Sequence, residues 1–256
     1  MNDEVAIVLV AGRGSRLAPL TDTMPKCLVE VGGAPLLLRA LDAFAAKGVR
    51  RVCVVVGHLK EVIRDRLGDR YAGLELHYIV NERWATTNSM YSLLLGLRAS
   101  QGCPVWVLEG DVAFDKELLD VATIGEPITW LADSSLQNVS GAFLRRHEDG
   151  RAVDLSIRLE GSPAEPNTFK SCGLLHLSSG GAARVIEWLE EDAAAGSTNQ
   201  YYDLTLAARF ARERVAIVDV AGTKWFEIDT SDDLDVAWKL FGGSAARGRG
   251  GDGGSL

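Results

Sequence analysis

The chain has 256 residues, 47% of them hydrophobic and 24% charged, with a formal net charge of −8. That length fits one large α/β domain, or one domain with a sizeable insertion, and the apolar fraction excludes disorder over most of it. An acidic balance with no block of Lys and Arg argues against a nucleic-acid backbone as partner and favours a small-molecule substrate.

No apolar run is long enough to span a bilayer, and Met1-Asn2-Asp3-Glu4 is acidic where a signal peptide is basic, so a cytoplasmic protein without membrane partners is expected. Cys27, Cys53, Cys103 and Cys172 form no C-x-x-C pair and have no His at ligand spacing. They are expected as buried reduced thiols, not zinc ligands or disulfides.

In chain order, residues 5–10, 51–56, 74–80 and 105–108 are β-branched apolar runs, most of them without a polar face. Such runs belong to a parallel sheet covered on both sides. Between them, residues 35–47, 60–67 and 88–100 carry apolar residues three and four apart, the spacing of crossover helices. From Pro127 onward shorter strands are predicted at 128–132, 140–146, 152–158 and 171–177, then helices at 181–194 and 202–212. A strand at 215–220 leads through an extended segment at 225–229 into a last helix at 231–241, with Ser231 as its N-cap. The expected class is α/β, a Rossmann-like, mostly parallel sheet flanked by helices. Residues 1–241 read as one domain with halves at 1–126 and 127–241, and the Gly-, Ser- and Arg-rich stretch 242–256 as a disordered tail.

The first strand runs out through Val10 and Ala11 into Gly12-Arg13-Gly14-Ser15, at the carboxyl end of a strand where open α/β sheets place their ligands. Gly12 and Gly14 allow backbone N–H groups close to a polyphosphate. The dinucleotide fingerprint is incomplete, because Leu17 stands where its third glycine belongs, and no Gly-Lys-Ser/Thr ending marks a P-loop. A tight turn without a ligand is the competing reading. The loop continues as G-x-G-x-R-L-x-P-L-T-x-x-x-P-K, from Gly12 through Arg16 and Pro19 to Pro25 and Lys26.

With this string, and with Cys27-Leu28-Val29-Glu30-Val31-Gly32-Gly33 after it, the chain resembles the family of nucleotide-sugar pyrophosphorylases and cytidylyltransferases. The resemblance extends to about Phe241 and implies the nucleotide-diphospho-sugar transferase type of fold, with a nucleotide-binding first half and an acceptor-binding second half. It implies that Arg16 and Lys26 reach the triphosphate or the α-phosphate under attack. Fixed cations there stabilise the charge that gathers on the phosphoryl oxygens and on departing pyrophosphate.

Asp111 follows the strand at 105–108 through Glu109 and Gly110, a place suited to Mg²⁺, which takes one or two protein oxygens and completes its shell with phosphate and water. A helix N-cap is the alternative. A second acidic pair, Glu227 and Asp229, precedes the last helix, where the family carries a similar pair beside its metal ion. Strand alternation would put both on one face, so Asp111 and Asp229, with Glu227 third, are the expected ligands. Asp232 and Asp233 are expected as first-turn helix acids.

The segment Asn81-Glu82-Arg83-Trp84-Ala85-Thr86-Thr87-Asn88-Ser89-Met90-Tyr91-Ser92 departs from the Gln-rich segment of many sugar pyrophosphorylases. It resembles the branch that makes CDP-linked head groups, the phosphocholine and 2-aminoethylphosphonate cytidylyltransferases. By that resemblance Asn88 and Ser92 meet the base or ribose, although Asn88 also fits a helix N-cap and Ser92 an ordinary helix face. For the acceptor, Lys170 suits a phosphate or phosphonate, and Trp84, Trp130, Tyr201, Tyr202, Asp133 and Asp203 suit a cationic head group, with plain packing the alternative for each aromatic.

The expected reaction is direct in-line attack of the acceptor oxygen on the α-phosphorus of CTP, leaving His58, His77, His147 and His176 without a role. A sugar- or inositol-phosphate nucleotidyltransferase using another NTP shares this chemistry. A silent nucleotide-binding regulator would be expected to have lost the cations or the carboxylates. The sequence leaves the oligomeric state open.

Overall fold

A computed structural model of the chain describes residues 4–122, 124–137, 139–159, 162–163 and 165–242. The tail expected at 242–256 therefore lies, apart from Gly242, outside the described residues.

Ten strands form the main sheet: β1 Val5–Val10, β2 Arg51–Val56, β3 Arg70–Tyr71, β4 Leu74–Val80, β5 Val105–Glu109, β6 Ile128–Asp133, β7 Gly141–Arg146, β8 Ala152–Arg158, β9 Thr168–Leu177 and β10 Ala216–Asp219. β4, β2, β1 and β5 run parallel side by side, as the βαβ pattern requires. Beyond β5 the direction reverses. β9 pairs antiparallel with β5 through Leu174–Leu177 and with β7 through Thr168–Lys170, while β6 lies along its other edge. Strands of both halves thus share one continuous sheet.

The helices are α1 Leu36–Lys47, α2 Lys60–Leu67, α3 Ser89–Ala99, α4 Glu117–Val121, α5 Ser179–Ala194, α6 Tyr202–Ala207 and α7 Ser231–Phe241. Alternation along β1 divides the core. Ala6, Val8 and Val10 pack with Leu37, Leu41 and Phe44 of α1 and Ile63 of α2, whereas Val5 and Ile7 pack with Leu93 and Leu97 of α3 and Val185 and Leu189 of α5. A smaller cluster of Leu17, Val31, Leu36, Ile228, Ala237 and Phe241 seats α7 against the loop after β1.

Several boundaries differ from the sequence expectation. The helix expected at 202–212 ends at Ala207 and continues as i→i−3 turns, with the Arg209 guanidinium drawn across to Asp192 of α5. The N-cap of α7 is Thr230, not Ser231: its side chain accepts from Asp233 N while Asp233 accepts from Thr230 N, a reciprocal capping box. Asp233 is thereby explained as a capping acid. The four cysteines are free thiols, three buried and Cys103 half-buried.

Candidate active site

One cleft of about 420 Å³ opens at the carboxyl ends of β1 and β5 and is closed on the far side by β7, β8, β9 and the start of α6. Ala11, Gly12 and Arg16 line it from the glycine loop, and Asn81, Trp84, Asn88 and Ser92 from the segment leading into α3. Gly110, Asp111 and Asp229 line its floor, and Lys170, Tyr201, Asp203 and Glu227 its opposite wall. Val10, Gly14 and Ser15 do not face it. Val10 is buried behind Gly110, Gly14 packs against the Lys26 stem, and Ser15 is exposed on a short 3-10 turn.

Two acidic segments more than a hundred residues apart are joined by a small antiparallel ribbon. Val112–Phe114 pairs with Trp225–Glu227, setting Glu227 opposite Val112, and Ile228 N donates to Asp111 O at 3.0 Å. Gly110 makes the turn possible, since a Cβ there would stand 2.4 Å from Val10 Cγ1 and 2.7 Å from Leu9 O. Carboxylate oxygens of Glu109, Asp111 and Glu227 lie within 4.8 Å of one another. Glu109 fits beside the bulge in β9, where a Cβ on Gly173 would come 2.9 Å from its Oε2.

Asp229 lines the same cleft as Glu227. The strand ends at Glu227 and the backbone bends into the capping box, with Asp229 N donating to Asp233 Oδ2. Asp229 Oδ1 accepts from Lys26 Nζ at 2.8 Å and pairs with Arg16 Nη2 at 2.8 Å. Lys26 Nζ also donates to Asp111 Oδ2 at 2.8 Å. Burial alone would lower the Lys26 pKa, but Asp111 and Asp229 outweigh it and raise the pKa above the ordinary value.

On the opposite wall Lys170 Nζ donates to Glu227 Oε2 at 2.6 Å and to Ser171 O at 3.2 Å. Burial pushes the Glu109 carboxyl well up, helped by the charges of Asp203, Asp111 and Glu227, and burial likewise raises Asp203 and Glu227. Of the cleft carboxylates, Asp111, Asp229 and Glu227 pair with Lys26, Arg16 and Lys170, and Glu109 and Asp203 lie beside them. Asp111 Oδ1 is buried without a hydrogen-bond partner. Clustered hard oxygen donors, one of them orphaned, fit a divalent cation such as Mg²⁺.

Asn88 is the N-cap of α3, its Oδ1 accepting from Ser89 N at 2.8 Å, while its residue still borders the cleft. Ser92 is buried and accepts from Asn81 Nδ2 at 3.1 Å. Asn81 also donates to Thr87 Oγ1 and accepts from Arg83 N, so it shapes the whole 81–88 turn, a role that no spacing in the sequence signals. Trp84 lies against His58, ring centroids 5.0 Å apart, and His58 N donates to Ala11 O. This sets Trp84 beside the glycine loop and not among the acceptor-wall aromatics with which it was grouped.

Tyr202 corrects the acceptor set. Its side chain is fully buried, packs against Trp130 and faces Glu109, leaving its exposed neighbour Tyr201 on the cleft. The first residue of α6 points its ring into the core because Leu206, four positions on, shares that face. Trp130 and Asp133 are also internal: Trp130 Nε1 donates to Ser171 Oγ, and Asp133 accepts from Trp225 Nε1 at 2.9 Å. Glu109 and Arg158 are cleft residues that sequence reasoning missed, Glu109 because it reads as the last strand position and Arg158 because it falls in a strand of mixed polarity.

The glycine loop after β1 and the array of cations and carboxylates at the ends of the parallel strands are carried on a sheet of the nucleotide-diphospho-sugar transferase fold. Residues 6–123 match the MobA-like NTP transferase domain. The chain is 34% identical over 234 residues to CMP-5'-(3-aminopropyl)phosphonate synthase of Streptomyces rubellomurinus, covering 89% of this chain and 37% of that protein. It is 34% identical over 112 residues to 2-aminoethylphosphonate cytidylyltransferase of Lancefieldella rimae, 44% of each chain. It therefore spans less than half the length of these two relatives. In fold it is similar to CTP:phosphocholine cytidylyltransferase from Streptococcus pneumoniae, with a TM-score of 0.76, 22% identity, and 93% and 98% of the two chains covered. No helix among the described residues is long and apolar enough to cross a membrane.

Proposed function

We propose that this chain is a Mg²⁺-dependent cytidylyltransferase that joins the CMP moiety of CTP to a small phosphonate or phosphate acceptor, of the aminoalkylphosphonate or phosphocholine kind, and releases pyrophosphate. The observation that carries the reading is the convergence of Lys26, Arg16, Asp111 and Asp229 on one wall of a cleft whose other wall presents Lys170. Such an arrangement suits two phosphorus groups brought face to face. The CTP preference rests on the likeness of the 81–92 segment and on the activities named for the two relatives.

In this reading an acceptor oxygen attacks the α-phosphorus, a new P–O bond forms, and the bond to the β-phosphate oxygen breaks. A phosphonate or phosphate dianion is already nucleophilic at neutral pH, so no general base is needed, and positioning with charge stabilisation carries the rate. The glycine loop and Arg16 hold the triphosphate, and Lys26 supplies charge beside the α-phosphate while keeping Asp111 and Asp229 in place. Asn88 and Ser92 face the nucleoside, and Lys170, Tyr201 and Asp203 receive the acceptor. Glu109, Asp111 and Glu227, with Asp229 adjacent, would hold Mg²⁺. When bound, the ion neutralises phosphate oxygens and orients them.

Pyrophosphate release, measured across CTP, UTP, GTP, ATP and dTTP against 2-aminoethylphosphonate, phosphocholine, inositol 1-phosphate and glucose 1-phosphate, tests the proposal. Turnover with CTP and an amine- or choline-bearing acceptor supports it. Turnover confined to a sugar phosphate and another NTP overturns the acceptor and nucleotide assignment.

A further inference from the structure

The acceptor wall carries a second cation that the proposed chemistry has not yet used. Arg158 ends β8 and lines the cleft, yet its residue is only 6% exposed. Its Nε, Nη1 and Nη2 are buried without hydrogen-bond partners among the described residues. Among the described residues, the one carboxylate paired with it is Glu165, whose Oε2 lies 3.1 Å from Nη2 outside hydrogen-bonding alignment and whose side chain is 60% exposed. A buried guanidinium with unused donors is costly, because desolvation is not repaid by an exposed counter-ion alone.

The register explains its aim. Arg158 stands opposite Gly141, and Lys170 opposite Phe143, on the two sides of β7. Directly opposed residues share a face, as do residues two apart, so Arg158, Gly141, Phe143 and Lys170 all project to one side of the sheet. The guanidinium lies over the Phe143 ring, 4.3 Å from its centroid, on the face that borders the cleft. Gly141 supplies the gap between the cations, since a Cβ there would fall 2.5 Å from Lys170 Nζ. Lys170 is already neutralised by Glu227 at 2.6 Å. Among the described cleft residues, Arg158 is thus the buried cation whose donors are unspent.

We infer that Arg158 is the acceptor-anion reader: its guanidinium takes two oxygens of the acceptor's phosphonate or phosphate, next to Lys170 and across Gly141. The inference rests on the cytidylyltransferase reading for the identity of the acceptor, but the oxyanion subsite itself does not need it. A planar fork suits two oxygens of one tetrahedral group in a way a lysine does not. Holding them orients the third oxygen for attack.

The test uses methylphosphonate, which has the oxyanion and no head group, titrated into the full chain and followed by ³¹P NMR. Arg158→Met keeps the length and the packing on Phe143 and removes the donors, and Arg158→Lys keeps the charge without the fork. Wild type is expected to bind, Arg158→Met to bind about tenfold or more weakly, and Arg158→Lys in between, with CTP binding by calorimetry unchanged in all three. Equal methylphosphonate affinity in wild type and Arg158→Met overturns the inference, as does loss of CTP and methylphosphonate binding together. If no NTP and acceptor pair is turned over but methylphosphonate affinity still depends on Arg158, the subsite stands and the transferase reading falls. If CTP turnover occurs with an acceptor KM untouched by Arg158→Met, the reverse holds.

Discussion

Lys26 is held at 2.8 Å by both Asp111 and Asp229, with their charges keeping it protonated despite its burial. An ammonium so placed is a fixed positive charge that needs no reorganisation when phosphate charge develops. Lys26→Ala is therefore expected to lower kcat for pyrophosphate release by about 10²- to 10³-fold, in the range of losing one transition-state donor. Steady-state kinetics with saturating nucleotide checks this. Tyr201 and Tyr202 make a second comparison at this scale, adjacent in sequence and opposite in surroundings. Tyr202→Ala empties a fully buried aromatic site and is expected to cost about 3–5 kcal/mol, read as a lowered denaturant midpoint. Tyr201→Ala should leave that midpoint unchanged and raise the acceptor KM.

Among the elements, the α5 to α6 junction depends on one carboxylate. Asp192 accepts from Gln200, Thr205 and both Nη atoms of Arg209, at 2.7 to 3.1 Å. Burial pushes its pKa up, but the hydrogen bonds from Arg209 and Thr205 prevail and hold it below the ordinary carboxylate value. A carboxylate lowered on folding stabilises the protein above its unfolded pKa of about 4, and that contribution is lost as pH falls through the folded value. Asp192→Asn is expected to destabilise by about 2 kcal/mol at pH 7, with the gap to wild type closing below about pH 4. Thermal melts of both proteins from pH 3 to 7 measure it, and a gap that persists unchanged at pH 3 would contradict the assignment.

Elements were the most legible level of the sequence. Residues 60–67, 152–158 and 231–241 coincide with α2, β8 and α7, because 3.6-residue and two-residue periodicity are local properties. The end of α6 was not legible, since Arg209 is drawn to a partner seventeen residues away, and neither was the α7 cap, where Thr230 and Ser231 are equivalent by residue type and only the Asp233 contact separates them.

For the whole molecule, the acidic cluster has a thermodynamic consequence. A cation that binds the folded chain and not the unfolded one raises stability with its concentration, by about 2.7 kcal/mol at a hundred times Kd. Mg²⁺ is expected to raise the melting temperature of wild type, and Glu227→Gln to blunt the rise; EDTA should reverse it. A melting temperature indifferent to Mg²⁺ would remove the ion from the proposed site.

What the sequence determined by itself is the α/β alternation, the glycine loop through Arg16 to Lys26, and the position of Asp111 just past a buried strand. Each depends on neighbours within a few residues, so pattern and composition suffice. The tertiary structure alone decided which groups meet. Glu109, Asp111 and Glu227 come together through a ribbon between distant segments, Asp229 meets Lys26 and Arg16, Tyr202 enters the core, and Arg158 lines the cleft opposite Gly141. These depend on strand register and on which face of an element is covered, and both are set by contacts between segments that no local period encodes.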